Sequence, residues 1–278
     1  MTGESIVLAS GCTYTLNDTD NDSDGLPEIT GNVQISSQGS STIRRSPAAA
    51  DEFRIFHVKG SGSLTLNRLT VSGGRANQAV TDGTFGGGIY NQGGTLTLNS
   101  TTVTGNEANR GGGVYNSGTL TMQFGALRLN KSTGQFGGGL NNQSSATLNS
   151  AAVEDNTSVT DSGGIENCGA ATLRLNSSTL TGNKAGGSGG GMYHCGVTAR
   201  FVSSQVSGNT AASSGGGIFA GAGGVTLTSS QVTGNSPDNC APPGAVAGCT
   251  NPVSAFARNA SESAGGSQRH RATETTTH

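Results

Sequence analysis

The sequence has few of the side chains that usually build a globular core or a charged binding surface. It contains no tryptophan, 4% aromatic residues and 12% charged residues over 278 positions, with a formal net charge of −2. Because phosphate binding needs clustered lysine and arginine, and no basic stripe is present, the composition argues against nucleic acid as a partner. Judged by composition alone, a chain with so little apolar surface would be expected to be disordered.

Long hydrophobic segments are also missing. The longest apolar runs are only a few residues, so we expect no membrane span. Residues 1–8 have neither the basic stretch nor the apolar stretch of an export signal. We therefore expect any such signal to lie upstream of this sequence or to be missing.

Glycine is abundant instead, with 47 residues, and much of it is arranged in a repeat. The pattern Gly-Gly-Gly-apolar-(Tyr/Asn)-Asn recurs with small variations about every 26 residues, in copies that begin at positions 86, 111, 137, 163, 189 and 215. Such a period is typical of a solenoid, in which no single coil can bury a core but stacked coils share one. The repeat overrides the expectation of disorder and predicts one elongated domain.

Short strands follow each glycine motif. Residues 95–98 alternate polar and apolar side chains, which indicates a strand with one buried face. Five residues after the last apolar position of that strand, another apolar residue opens a third segment. The pairs at this spacing are Leu66 and Val71, Leu98 and Val103, Met122 and Leu127, Leu148 and Val153, Leu175 and Leu180, Phe201 and Val206, and Leu227 and Val232. With three short strands per coil and no room for a helix, the sequence predicts an all-β parallel β-helix.

Asparagine recurs at two places in the coil. One series closes the third strand, at Asn106, Asn130, Asn156, Asn183, Asn209 and Asn235. A second series ends the glycine motif, at Asn91, Asn116, Asn142 and Asn167, with His194 in the next copy. Side-chain amides that repeat at strand spacing can bond to the neighbouring coil, so we expect the asparagines to stack as ladders.

The cysteines suggest two disulfides. Cys168 and Cys195 are 27 residues apart, about one period, and would stack at the ~4.8 Å spacing of adjacent strands, within reach of a disulfide. Cys240 and Cys249 bracket a turn-rich segment and could close a second bridge, which leaves Cys12 over. Two bridges favour an oxidising, extracytoplasmic location, whereas two pairs of reduced buried thiols are the alternative.

Three segments carry a resemblance to a known family: residues 86–91 (GGGIYN), 102–106 (TVTGN) and the cap-like 237–244 (PDNCAPPG). In these the chain resembles bacterial right-handed parallel β-helix repeat proteins, including the polymorphic outer-membrane-protein-like repeats, with a pectate-lyase-like solenoid architecture. The resemblance spans roughly residues 10–250. It implies a right-handed, secreted or surface-displayed solenoid, and the repeats bring no catalytic motif with them.

The ends of the chain depart from the repeat, as expected of a solenoid that must cover its terminal strands. We predict an N-terminal cap over 1–28, the parallel β-helix over 29–235 and a C-terminal cap over 236–250. Residues 251–278 have no period and are predicted to form a disordered tail.

An acidic run in the N-terminal cap is a candidate calcium site. Asp20, Asp22, Asp24 and Glu28 supply hard oxygen ligands around Gly25, which could provide the bend. The match to a calcium loop is incomplete, because no flanking helices are evident. The alternatives are a structural calcium ion and a plain Asp-rich turn; no other cofactor is required.

A second acidic group lies within the regular coils: Glu154, Asp155, Asp161 and Glu166. Glu166 takes the outward position that aromatic residues hold in other coils, namely Tyr90, Tyr115, Tyr193 and Phe219. A carboxylate between stacked rings resembles a sugar-binding groove, and paired acids can cleave glycosidic bonds. Outward aromatic ladders are, however, often only stabilising.

Two functions follow from these residues. The first is a secreted, non-enzymatic solenoid with an adhesive or binding surface for an extracellular glycan or a surface protein. The second is a polysaccharide lyase or glycoside hydrolase with an acidic groove around Glu154 to Glu166.

Overall fold

The structure is a computed structural model that describes residues 3–21, 23–78 and 83–252. The described chain is all-β and winds into a parallel β-solenoid of about nine turns, with about 26 residues per turn. The predicted fold class is confirmed. Within these ranges no helix has the length and apolar character needed to cross a membrane.

Each regular turn crosses three sheets. The sheet that follows the glycine motif, here called the aromatic sheet for its outward side chains, consists of Phe56–Lys59, Ile89–Gln92, Val114–Asn116, Leu140–Asn142, Ile165–Cys168, Met192–Cys195, Ile218–Ala220 and Cys240–Ala241. The short sheet consists of the two-residue strands Arg75–Ala76, Glu107–Ala108, Lys131–Ser132, Thr157–Ser158, Lys184–Ala185 and Thr210–Ala211.

The long sheet has two branches. The first contains Thr95–Asn99, Thr119–Gln123, Ser145–Asn149, Thr172–Asn176, Thr198–Val202 and Gly224–Thr228. The second contains Thr102–Thr104, Ala126–Arg128, Ala152–Glu154, Thr179–Thr181, Gln205–Ser207 and Gln231–Thr233. Strand Ser63–Ser72 pairs with both branches and also with Asn32–Arg45, to which Glu4–Leu8 and Thr13–Leu16 add at the N-terminal end.

The chain turns between these strands through residues in the left-handed region. The corner between the two branches of the long sheet is formed by Arg68, Ser100, Phe124, Ser150, Ser177, Ser203 and Ser229, all with φ between 48° and 56°. The next corner is formed by Gly105, Leu129, Asp155, Gly182, Gly208 and Gly234. Asp155 therefore stands at a position where most coils use glycine, and aspartate tolerates this conformation better than most residues.

The core is a narrow column of aliphatic side chains. Leu98 and Val103, one pair at the predicted five-residue spacing, are both fully buried at 0% exposure. Burying one such side chain stabilises the fold by roughly 1.5–3 kcal/mol. Because each coil covers the apolar side chains of the next, stability comes from stacking rather than from any single coil.

The first asparagine ladder forms as predicted. The backbone N–H and Nδ2 of Asn130 both donate to Oδ1 of Asn156 at 3.0 Å. Asn156 in turn donates from Nδ2 to the Leu127 carbonyl and to Oδ1 of Asn183, both at 2.9 Å. The amide-to-amide bond recurs from coil to coil between Asn106 and Asn235.

The second ladder also forms. Its amides are joined at 2.7–2.8 Å from Asn91 through Asn116 and Asn142 to Asn167. Asn167 Nδ2 then lies 3.0 Å from Nδ1 of the buried His194. Because the amide donates, the ring proton of His194 sits on Nε2, and burial holds the pKa of this imidazole below its usual range.

The glycine motif permits close backbone approach between coils. Gly86 has φ 60°, and a Cβ on Gly87 would lie 2.3 Å from the carbonyl oxygen of Glu107. A side chain at either position would strain the backbone or collide with a neighbouring strand. The triple glycine is thus a requirement of the stacking.

Both predicted disulfides are present. Cys168 and Cys195 pair in register on adjacent strands with a Cα separation of 4.4 Å, and Cys240 and Cys249 are joined with a Cα separation of 6.3 Å. Cys12 is a free, exposed thiol. Paired cysteines indicate an oxidising environment.

The predicted end segments contain strands that pair with the neighbouring coils. Glu4–Leu8 and Thr13–Leu16 lie within the predicted N-terminal cap, and Cys240–Ala241 lies within the predicted C-terminal cap. Asn251, the first residue of the predicted tail, bonds through its side chain to the backbone of Asn239 and Cys240. From residue 253 onward, the predicted tail lies outside the residues that the structure describes.

Candidate functional site

The candidate site lies on the aromatic sheet. Strand pairing aligns one outward side chain per coil into what we call the outward column, formed by His57, Tyr90, Tyr115, Asn141, Glu166, Tyr193 and Phe219. The sequence alignment of Glu166 with the aromatic residues is therefore confirmed.

Glu166 is the buried acid of the outward column. It is 5% exposed and accepts a hydrogen bond from Nδ2 of Asn141 in the preceding coil. Burial raises the pKa of this carboxyl to about 8, with Arg110 acting to lower it and Asp161 acting to raise it. Glu166 is therefore mostly protonated at neutral pH and can donate a hydrogen bond as well as accept one.

Residues from the segments that precede the glycine motifs lie beside the outward column. The Arg110 guanidinium donates to Oε1 of Gln135 and lies 5.9 Å from the centre of the Phe85 ring. Asp161 accepts a hydrogen bond from the backbone N–H of Ser188. Arg110 and Asp161 both act electrostatically on Glu166, so one cation and one anion border the acid.

Aromatic rings occupy both ends of the site. Tyr193 and Phe219 are stacked, with ring centres 4.8 Å apart and an interplanar angle of 19°. On the other side, Phe85 lies 4.7 Å from the Tyr115 ring and 5.5 Å from the Tyr90 ring. Tyr90 is buried, whereas the other four rings are half-buried and keep part of their surface open to solvent.

The four acids predicted as a group do not share one sheet. Asp161 lies five residues before Glu166, in the segment that leads into its strand, and the charge of Asp161 raises the pKa of Glu166. Glu154 ends strand Ala152–Glu154 of the long sheet, opposite Arg128, and Asp155 forms the exposed corner that follows it. The acid pair that can act at one site is therefore Asp161 and Glu166.

The chain matches no protein-family model, no curated protein and no solved structure. The outward column offers a buried protonated acid, an amide, a bordering ion of each sign and rings at either end. This set can stack against a ring and exchange hydrogen bonds with hydroxyl groups.

A second polar cluster lies in the first coils, around the predicted calcium site. Asp24 is buried, with Oδ1 2.9 Å from Nε of Arg54 and Oδ2 3.0 Å from Nδ1 of His57. Glu28 Oε1 lies 2.9 Å from Nζ of Lys59 and 3.7 Å from Nδ1 of His57. Asp24, Glu28 and His57 thus offer three atoms that a metal ion could bind, but Arg54 and Lys59 already supply positive charge.

The remaining predicted calcium ligands are placed differently. Asp20 is exposed, and Asp22 lies outside the described residues. Burial alone would raise the pKa of Asp24, but the hydrogen bond from His57 and the charge of Arg54 outweigh it and hold that pKa below its usual range. Asp24 is therefore ionised and paired within the protein, and calcium binding stays a prediction.

Sequence reasoning missed the residues beside the outward column. Phe85, Arg110 and Phe136 each stand immediately before a glycine motif. By strand register Asp161, Ser188 and Ser214 hold this position in the later coils, because Ser162, with φ 63°, takes the place of the first glycine. The change from large to small side chains was a signal that aligning one position earlier would have found. It indicates that the column is more covered before Glu166 than after it.

Proposed function

We propose that this protein is an extracellular or cell-surface β-solenoid that binds carbohydrate through the outward column of its aromatic sheet. The observation that supports this most is the order of groups along the column: Tyr90 and Tyr115, then Asn141 and Glu166, then Tyr193 and Phe219. The two disulfides favour an extracellular location.

The chemistry of these groups suits a polyhydroxylated chain. Aromatic rings provide apolar surface for the C–H faces of sugar rings, while the protonated Glu166 and the half-buried Asp161 and Arg110 provide both donors and acceptors for hydroxyls. Asn141 is buried and bonded to Glu166 and Gln143, so it holds the acid in place. Successive coils are spaced by ~4.8 Å, so several units of an extended polymer could each meet one coil. Because Arg110 and Asp161 offset each other in charge, we expect neutral glycans to bind as well as acidic ones.

The resemblance to the polymorphic outer-membrane-protein-like repeats supports the same location. If the chain is related to them, it is displayed at a bacterial surface, and the pectate-lyase-like architecture would serve as a scaffold. The relationship to these repeats is part of the proposal, and it adds no residue to the proposed carbohydrate-binding site.

Affinity electrophoresis in gels that contain single polysaccharides tests the binding proposal. We expect at least one polysaccharide to retard the protein and Phe219→Ala to weaken this about threefold to tenfold, the loss of one stacking ring. Phe124→Ala is the matched control, because Phe124 is 69% exposed on the long sheet, away from the column. Equal retardation of wild type, Phe219→Ala and Tyr193→Ala would contradict the proposal.

Glycan cleavage is a second candidate function, favoured by the raised pKa of Glu166 beside Asp161. A carboxyl group protonated near neutral pH is suited to act as a general acid on a glycosidic oxygen. Incubation with each retarding polysaccharide, followed by assays for reducing ends and for unsaturated products, separates the two functions. If the wild type cleaves a polysaccharide and Glu166→Gln is still retarded by it but no longer cleaves it, the protein is an enzyme. If the wild type is retarded but cleaves nothing, the protein is a binding protein.

A further inference from the structure

The Cys168–Cys195 disulfide lies next to the buried acid of the outward column. Cys168 follows Glu166 by two residues on the same strand, so both side chains point to the same side of the aromatic sheet. A carboxylate oxygen of Glu166 and the two sulfur atoms all lie within 4.8 Å of one another.

The two cysteines differ in their exposure to solvent. Cys168 is 6% exposed, whereas Cys195 is half-buried. In thiol exchange a thiolate attacks one sulfur of a disulfide and the other sulfur leaves, so access decides which sulfur is attacked. Cys195 is the more exposed residue of the pair, so we expect attack at its sulfur, and the sulfur that then leaves is that of Cys168, on the strand of Glu166.

The coils do not need this disulfide to stay in register. At the position of Cys168, the other regular coils carry Gln92, Ser117, Gln143 and Gly221. Those coils stack in the same parallel pairing, and the Asn167–His194 bond joins the two coils that carry the cysteines. Opening the disulfide should therefore leave the solenoid folded.

We propose that Cys168–Cys195 is an exchangeable disulfide and that the carboxylic acid of Glu166 protonates the Cys168 sulfur as it leaves. A thiolate of an external dithiol attacks Cys195 Sγ, forming a mixed disulfide and breaking the Cys168–Cys195 bond. The electron pair of that bond goes to Cys168, which takes the proton of Glu166. The second thiolate of the dithiol then displaces Cys195, which leaves as a thiolate. The dithiol is thereby oxidised to a disulfide, and water supplies one proton to the Cys195 thiolate and one to the Glu166 carboxylate, so the protein gains two thiols.

The groups that face Glu166 set the pH range of this step. They are Arg110, Asp161 and Tyr193, together with the neutral Asn141. Because the pKa of Glu166 is about 8, a single acid of this kind is mostly protonated at pH 7 and mostly ionised at pH 9. The available proton donor therefore falls about tenfold across this range.

The test follows reduction of each disulfide by dithiothreitol from pH 7 to 9, with the reagent adjusted to a constant thiolate concentration. Acid quenching, alkylation and peptide mass spectrometry report the two disulfides separately. We expect the rate for Cys168–Cys195 to fall about tenfold from pH 7 to pH 9. The Cys240–Cys249 bond, in the same molecules, is the control and should change little.

The Glu166→Gln variant distinguishes proton donation from simple charge repulsion, since Gln keeps the shape and the Asn141 contact but has no acidic proton. We expect it to react slowly at every pH, at the rate of the wild type at pH 9. If Glu166→Gln instead reacts as fast as the wild type at pH 7, the carboxylate only repels thiolates and proton donation is wrong. If Cys168–Cys195 follows Cys240–Cys249 in rate and pH profile, it is a structural disulfide and the proposal fails, whatever the outcome of the glycan assays.

Discussion

Replacing Asn156 with alanine removes the middle of the first asparagine ladder. Four hydrogen bonds end on this fully buried side chain: two from Asn130, one to the Leu127 carbonyl and one to Asn183. The backbone N–H of Asn156 keeps its bond to Asn183, so the chain direction at the corner is preserved. The perturbation is therefore confined to polar groups inside the solenoid.

The expected cost follows from the groups left without partners. The Asn130 N–H and the Leu127 carbonyl stay buried but each lose the hydrogen bond to Asn156. Leaving such a group unsatisfied costs ~1–3 kcal/mol of stability, and the loss of the remaining side-chain bonds costs ~1 kcal/mol more. Some relaxation will reduce the sum, so we expect Asn156→Ala to lower the free energy of unfolding by about 2–4 kcal/mol. This is a large part of the stability of an ordinary domain.

Asn149→Ala is the matched control. Asn149 lies half-buried on the long sheet and accepts one side-chain hydrogen bond, from Asn176 at 2.7 Å. Water can replace that bond, so we expect a loss below ~1 kcal/mol. Urea unfolding followed by far-ultraviolet circular dichroism measures both variants, with an unchanged m-value as the condition for comparison. If both variants lose the same free energy, the buried ladder does not stabilise the solenoid as argued.

Three further predictions concern charge. The pKa of Glu166 is about 8 in the fold against ~4.3 when unfolded, so the folded chain holds a proton that the unfolded chain releases. Because of Glu166, the free energy of unfolding should fall by a few kcal/mol as the pH rises from about 5 to 8. The Glu166→Gln variant should lack this pH dependence. If the wild type and the variant show identical pH profiles, burial does not raise the pKa of Glu166 as argued. Arg54→Met should lower the free energy of unfolding in urea by about 3–5 kcal/mol, because it leaves Asp24 buried without its cation. Lys59→Met, at a half-exposed ion pair, should lower it by less than ~1 kcal/mol. Equal losses in the two variants would contradict this prediction. If the acidic run binds calcium, added calcium raises the melting temperature and a chelator lowers it; a melting temperature unchanged by either would leave that run as an ordinary cap.

The repeat made much of the fold predictable. Residues at fixed offsets from the glycine motif, such as Leu98 and Val103, align in every coil, and the same alignment placed Glu166 among aromatic residues. The Cys168–Cys195 bond followed from the period alone, since one period is one strand spacing. The period therefore predicted the features that recur at the same place in every coil, and the pairs of residues that lie one coil apart.

Very short strands and features that do not repeat were harder to predict. The strands of the short sheet, such as Glu107–Ala108, recur in each regular coil but are two residues long, too short for alternation to be visible. The Asp24–Arg54 pair lies in irregular first coils, where no neighbouring copy gives an alignment. The burial of Glu166 and its bordering Arg110 depend on how the connecting segments pack, which the strand pattern does not specify.

The central claim is that the outward column of the aromatic sheet binds sugar. A crystal structure with an oligosaccharide from the polysaccharide that most retards the protein tests it most directly. We expect density for sugar rings against Phe219 and Tyr193, with a hydroxyl within hydrogen-bond distance of Glu166, Asp161 or Arg110. Density confined to the long sheet, or no polysaccharide that retards the protein at all, would contradict the account.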